Sequence, residues 1–441
     1  MTARSPWCPL LLSAGLFAAI SCGDVEEPTG PPFSAYVIDQ VSLDPETGRG
    51  EFSVAARTFT RLTNVGELRG PGFRVLREGV LEARQVSGSI VSDGLFKDGS
   101  APDLRFRVEG GQILARDYNS LAMLSLAWQF ERMFDALENQ GPYTPDQVFA
   151  GLGPPDIYFE PAIELSGDQS TTAILKFNAF FQPETGSFGF ARRSSAEDIP
   201  LAADIKVVSH EVGHAVFFKA FDANNATECK GSDNQIGARW FPGRLEEEYV
   251  MRGLNEGFAD WHSFSVTGGV DALANQSSFT GTSRNFRAAS FGWSDLELFG
   301  IPNNADAAEE DKGRHARCTN GPYCIGTLFA HALYNAFSGL DNDLTDVSAR
   351  AEFTRGLVTG LEQAKQLLMT NDWLPPAPSW VADCSGRNEF NAEYDGKVLS
   401  AVLGAWLTHL EEPLRTRLCA SVRDTFGTTG VRAAQFAECA P

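Results

Sequence analysis

The segment His210-Glu211-Val212-Gly213-His214 restricts the fold of this chain more than any other. Two histidines four residues apart lie on one face of an α-helix, so both imidazoles can reach a single point if the stretch is helical. Val207, Val208, Val216 and Phe217 surround the pair with apolar side chains, which buries that helix inside a folded body. Glu211 lies about 100° round from His210, beside the shared face. That position suits a general base acting on water near a metal ion, not a further ligand. Gly213 costs about 1 kcal/mol in mid-helix, and its missing side chain lets another backbone pass close to the pair. Two histidines on a helix face are often plain core or surface residues. A catalytic zinc takes three protein ligands and keeps one open position, so the test is a third ligand.

Downstream lies Leu254-Asn255-Glu256-Gly257-Phe258-Ala259-Asp260. Glu256 and Asp260 are one turn apart on a common helix face, which offers one carboxylate to an ion and another to one of its histidines. A solvated acidic face is the plainer alternative, yet Phe258 and Trp261 argue for a packed helix. The pair of motifs, His-Glu-x-x-His and then Asn-Glu-x-x-Ala/Ser-Asp, resembles the thermolysin-like and fungalysin-like zinc peptidases, the gluzincins. The resemblance implies a zincin-like fold, a Zn2+ ion held by His210, His214 and Glu256, Glu211 as general base, and Asp260 orienting a zinc-bound histidine. Before the helix, Phe177-Asn178-Ala179-Phe180-Phe181 resembles that family's Asn-Ala-aromatic edge strand, which pairs with bound peptide as an added strand. By that resemblance Asn178 and Ala179 contact substrate.

The chain departs from the family pattern in three places. Between His214 and Glu256 the spacing is longer than in thermolysin, and residues Phe221 to Arg252 read as a surface excursion carrying Cys229 and Glu246-Glu247-Glu248. The family's later histidine, which stabilises the oxyanion ahead of a glycine that opens a helix, is replaced at the matching place by Tyr323, before Cys324-Ile325-Gly326. A phenol can donate the required hydrogen bond; His315 on the same stretch is the other candidate. His262, His331 and His409 read as packed or surface residues. The stretch after Gly23 is too short for both a propeptide and a β lobe.

The chain of 441 residues carries a net charge of −21, which excludes nucleic acid as a partner because nothing neutralises phosphates. Its N-terminus reads as an export signal: Arg4, then the apolar run Leu10 to Ile20, too short to span a bilayer. Ala19-Ile20-Ser21-Cys22 resembles a bacterial lipobox, implying a lipid anchor at Cys22; an ordinary cleaved signal is the alternative. The acidic, Gly- and Pro-rich run Gly23 to Pro32 suits a tether. Gly23, where aspartate would favour inner-membrane retention, points to the outer membrane or cell surface. Six further cysteines, Cys229, Cys318, Cys324, Cys384, Cys419 and Cys439, suggest disulfides whose pairing spacing does not reveal.

The expected organisation is therefore a signal peptide at 1–21, a tether at 22–32, a β-rich lobe at 33–220 and a helical lobe at 221–441 that carries the third ligand. Alternating runs at 35–38, 51–54, 73–76, 104–108 and 173–177 predict strands, and helical spacing predicts helices at 118–138, 201–220, 253–264, 324–338, 347–369, 396–411 and 413–426. That is an α+β protein. The expected activity is peptide-bond hydrolysis at a bacterial cell envelope, on a peptide or protein substrate. A catalytically weak or inactive zinc-binding lipoprotein and a zinc exopeptidase are the rivals.

Overall fold

The computed structural model describes residues 32–43, 50–86, 89–97, 99–166, 171–173, 179–183, 185–190, 201–222, 245–270, 321–339, 344–370 and 397–426, with residues 287 and 439. The signal, Cys22, the tether before residue 32, Asn178 and His315 lie outside them, as do Cys229, Cys318 and Cys384.

The first half is rich in strands: β1 (Phe33–Leu43), β2 (Gly50–Phe59), β3 (Arg74–Arg77), β4 (Val80–Val86), β5 (Ser89–Lys97), β6 (Phe106–Glu109) and β7 (Gln112–Ala115). Helices α1 (Tyr118–Gln140) and α2 (Pro145–Val148) follow, then β8 (Asp156–Phe159), β9 (Ala162–Ser166), β10 (Thr171–Ala173), β11 (Ala179–Gln182) and β12 (Ser187–Phe190). The remainder is helical: α3 (Ile205–Phe217), α4 (Leu245–Thr267), α5 (Gly321–Ser338), α6 (Val347–Thr370), α7 (Lys397–His409) and α8 (Leu414–Phe426). The protein is α+β, with a sheet-rich N-terminal region and a helical C-terminal region. Among the described residues the strands form three four-stranded sheets, ordered β2-β1-β7-β6, β10-β9-β4-β5 and β11-β12-β8-β3. The last of these places β11 at an edge beside α3, with Phe181 of β11 against Phe218 just past that helix.

Helix α1 is the spine of the N-terminal region. Asp117 caps its start by accepting from the Ser120 N–H, and no glycine or proline interrupts the helix. Phe130, wholly buried, meets Phe188 at 5.1 Å and Phe190 at 6.0 Å between ring centroids, with Phe134 behind it. Glu131 on the same helix is buried but satisfied, because its carboxylate accepts the backbone N–H groups of Thr60, Arg61 and Leu62. That single side chain fixes the chain leaving β2 onto α1. Burial pushes its carboxyl above the ordinary range, against the pull of those three donors.

The stretch expected to be a surface excursion is partly core and partly helix. Phe218–Asp222 continues α3 as a π-helical turn, with Phe221 fully buried and 5.7 Å from Phe217. Helix α4 starts at Leu245 and not at Gly253, since nothing from Leu245 to Arg252 breaks a helix and glutamates favour its first turn. Gly253 lies inside the helix because Ile325 of α5 packs where its side chain would be. Of the cysteine pairings, Cys419 joins Cys439 and ties α8 to the chain's end. No helix among the described residues is long and apolar enough to cross a membrane.

Candidate metal centre

Helices α3 and α4 cross at their closest where glycine permits it. A Cβ on Gly213 would stand 2.8 Å from the Ala259 Cα and 3.0 Å from the His262 Cβ, so the α3 backbone rests almost directly on α4. The second crossing repeats the device. A Cβ on Gly326 of α5 would stand 2.6 Å from the Glu256 Cβ, and one on Gly257 would stand 2.6 Å from the Gly326 carbonyl oxygen. Three helices thus meet around Glu256 with almost no side chain between their backbones.

This packing brings together His210 and His214 from α3 and Glu256 from α4. The two Nε2 atoms are 3.0 Å apart, and Glu256 Oε2 lies 3.3 Å from His210 Nε2 and 3.8 Å from His214 Nε2. A four-coordinate zinc with bonds of about 2.0–2.2 Å sets its ligand atoms about 3.3–3.6 Å apart. The observed triangle brackets those edges, so two imidazoles and a carboxylate fit the ion in donor chemistry and in spacing.

Each imidazole is held from behind. His210 Nδ1 lies 2.9 Å from Oδ1 of the fully buried Asp260, and His214 Nδ1 lies 3.0 Å from Asn255 Oδ1. With a proton on each Nδ1, facing these two oxygens, each Nε2 lone pair would be free for the centre, the tautomer a metal ligand needs. Glu211, next to His210 in the chain, is buried to the same degree, each residue being 5% exposed.

The other singled-out residues fall around this group. Ala179 opens β11, partly buried against the core. Tyr323 stands in the first turn of α5, which opens at Gly321 and not at Gly326, and it is 38% exposed. One turn on, Gly326 faces Glu256, so Tyr323 is on the α5 face that meets α4. His331 pairs with Asn335 on α5, and His409 ends α7 exposed. Sequence reasoning gave no role to Asn255, although it immediately precedes the glutamate it supports. It also treated His262 as ordinary packing. His262 is fully enclosed, its Nδ1 donating to the Ser209 carbonyl at 2.8 Å, and burial lowers its pKa to about 4.

The chain matches no protein-family model and no curated protein. Among solved structures it is similar to the precursor of protealysin, a metalloproteinase from Serratia proteamaculans. The superposition has a TM-score of 0.32 and 11% identity, over 80% of this chain and 88% of that one. At that level the case for function stays with the side chains.

Proposed function

We propose that this chain is a zinc-dependent metallopeptidase of the gluzincin type, cutting peptide bonds at a bacterial cell envelope to which a lipid on Cys22 anchors it. The observation that carries the reading is the convergence of His210 Nε2, His214 Nε2 and Glu256 Oε2, with a buried Glu211 next to His210 in the chain. A structural site has no need of that last carboxylate.

His210, His214 and Glu256 hold the ion, and Asp260 and Asn255 keep the two imidazoles in the ligating tautomer. Zinc held there supplies a Lewis acid, which brings a water's pKa towards neutrality and polarises a carbonyl. Glu211 takes the proton of the attacking water and returns it to the departing amine. By the resemblance to the family's edge strand, Asn178 and Ala179 hold the peptide main chain as an added strand. Tyr323, or His315, donates a hydrogen bond to the oxygen on which charge develops.

Metal analysis of purified protein should find about one zinc per chain, and Glu256→Ala should lose most of it. Glu211→Gln should keep the zinc while cleavage of casein or a quenched peptide falls by about 10²–10⁴. Zinc bound with no peptide cut, in wild type, would overturn the enzyme in favour of a zinc-binding lipoprotein. Trimming from one end only would make it an exopeptidase.

A further inference from the structure

The site's two supporting acceptors, Asp260 and Asn255, act on the imidazole rings. A separate set of polar groups acts on the backbone of the helix that carries those rings. Ser263 Oγ donates to the Lys206 carbonyl at 2.9 Å, His262 Nδ1 donates to the Ser209 carbonyl at 2.8 Å, and the Ser209 hydroxyl lies between, 3.0 Å from Ser263 Oγ and 3.1 Å from the Lys206 carbonyl, sharing its one proton between them. Both carbonyls belong to the turn that leads into His210, and Ser209 is its immediate neighbour. Within a helix each carbonyl already accepts from the N–H four residues on. Here α4 adds a donor from outside the helix to both.

Position on the helices explains the selectivity. Glu256, Asp260 and Ser263 follow one another at i, i+4 and i+7 and so form one stripe, while Lys206, His210, Gly213 and His214 form the facing stripe of α3. The two stripes touch backbone to backbone at Gly213 and Ala259. At that point no side chain stands between the two backbones, and the nearest ring pair across the crossing, Phe217 on Phe258 at 5.7 Å, lies one turn further along α3. A slide of one residue moves a ligand by about 1.5 Å, enough to spoil a tetrahedral site whose distances hold to about 0.2 Å. His262 and Ser263, all but excluded from solvent, supply directional bonds on the other side of the crossing, at the turn that leads into His210.

We propose that His262 and Ser263 are positioning residues that lock α3 in register with α4, and so set the affinity of the His210, His214 and Glu256 site for zinc. The inference rests on the zinc reading above. Neither residue touches the ligand atoms: they act through the α3 backbone.

The test is competition for zinc against a chromophoric chelator, together with the visible absorption of the Co2+-substituted protein. His262→Asn keeps a donor near the position of Nδ1, whereas His262→Leu keeps volume and loses the donor. Ser263→Ala removes one hydroxyl from a helix and serves if His262→Leu does not fold. The expected result is a zinc Kd raised by about 10-fold in His262→Leu and less in Ser263→Ala, with cobalt bands weakened or shifted. His262→Asn should return both to within a few-fold of wild type. Folded His262→Leu and Ser263→Ala proteins with unchanged Kd and cobalt spectrum would overturn the inference, provided Glu256→Ala has lost its metal. Wild-type protein that takes up neither zinc nor cobalt would instead overturn the metal reading itself.

Discussion

Two interfaces in this molecule are built in opposite ways. Where α1 meets the sheet of β12 and β8, aromatic rings stand between the backbones: Phe130 on Phe188 and Phe190, Phe134 on Phe73 at 5.5 Å. Where α3 meets α4, one ring pair, Phe217 on Phe258 at 5.7 Å, stands one turn past the histidines, but at the crossing itself Gly213 lies on Ala259 with hydrogen bonds beside it. A ring interface is tolerant in position, because rings tilt and neighbouring rotamers adjust, but it buries much apolar area. A backbone interface buries less, and the hydrogen bonds beside it fix position closely. The first contributes stability, and the second contributes geometry at a site whose ligand atoms must agree to a few tenths of an ångström.

The largest expected effect tests the first half of that contrast. Phe130→Ala removes a fully buried ring from the aromatic cluster, and the cavity should cost about 3–5 kcal/mol in chemical denaturation. Measured well below its melting temperature, the same variant should bind zinc within a few-fold of wild type. A collapse of zinc affinity in folded Phe130→Ala would show that the two interfaces are not separable.

The second effect uses pH. Burial holds the His262 imidazole neutral, with a pKa of about 4 against an ordinary value near 6.5. As pH falls below about 6.5 the unfolded chain takes up that proton and the folded one does not, so folding stability declines, and it goes on declining until about pH 4. At 1.36 kcal/mol per unit the total is on the order of 3 kcal/mol. Urea midpoints of the metal-free protein between pH 7 and pH 4 should show this loss in wild type. His262→Asn should lack it, because it has nothing to titrate. Parallel pH profiles for the two would place His262 in a wetter environment than its burial implies.

The contrast also accounts for what was legible in the sequence. Helices came through because their apolar spacing repeats over many residues, as in α1, α6 and α8. Of the candidate metal group, His210 and His214 came through by their interval on one helix, and Glu256 and Asp260 through the resemblance of their motif to a known family. The short strands β4, β5, β7 to β9 and β12 did not, since four to nine residues carry little period and their burial depends on partners distant in the chain. The mid-helix role of Gly253 was hidden for a related reason: a glycine in a helical run signals a boundary or a close approach equally well, and only Ile325 decides between them. His262 and Ser263 lay in plain view, and Ser263 even continues the Glu256 and Asp260 stripe. Their acceptors, however, are backbone carbonyls, which every residue has and no sequence pattern marks.

The smallest effect on stability should carry the sharpest information. Gly213→Ala gains about 1 kcal/mol of helix propensity. It also drives a methyl to 2.8 Å from the Ala259 Cα and 3.0 Å from the His262 Cβ, of which the first is backbone and cannot turn aside. Overpacking of this kind costs about 1–3 kcal/mol, so the gain offsets part of it and the net loss of stability should be about 0–2 kcal/mol. Position is not offset in the same way. The methyl parts α3 from α4 by some tenths of an ångström at the level of the ligands, stretching the bonds from His262 and Ser263 and opening the triangle between His210, His214 and Glu256. The expected outcome is that small loss of stability with zinc affinity lower by about 10-fold. Equal zinc affinity in Gly213→Ala would mean that the helices have slack at their crossing, and that the ligand side chains take up by rotation what the backbone loses.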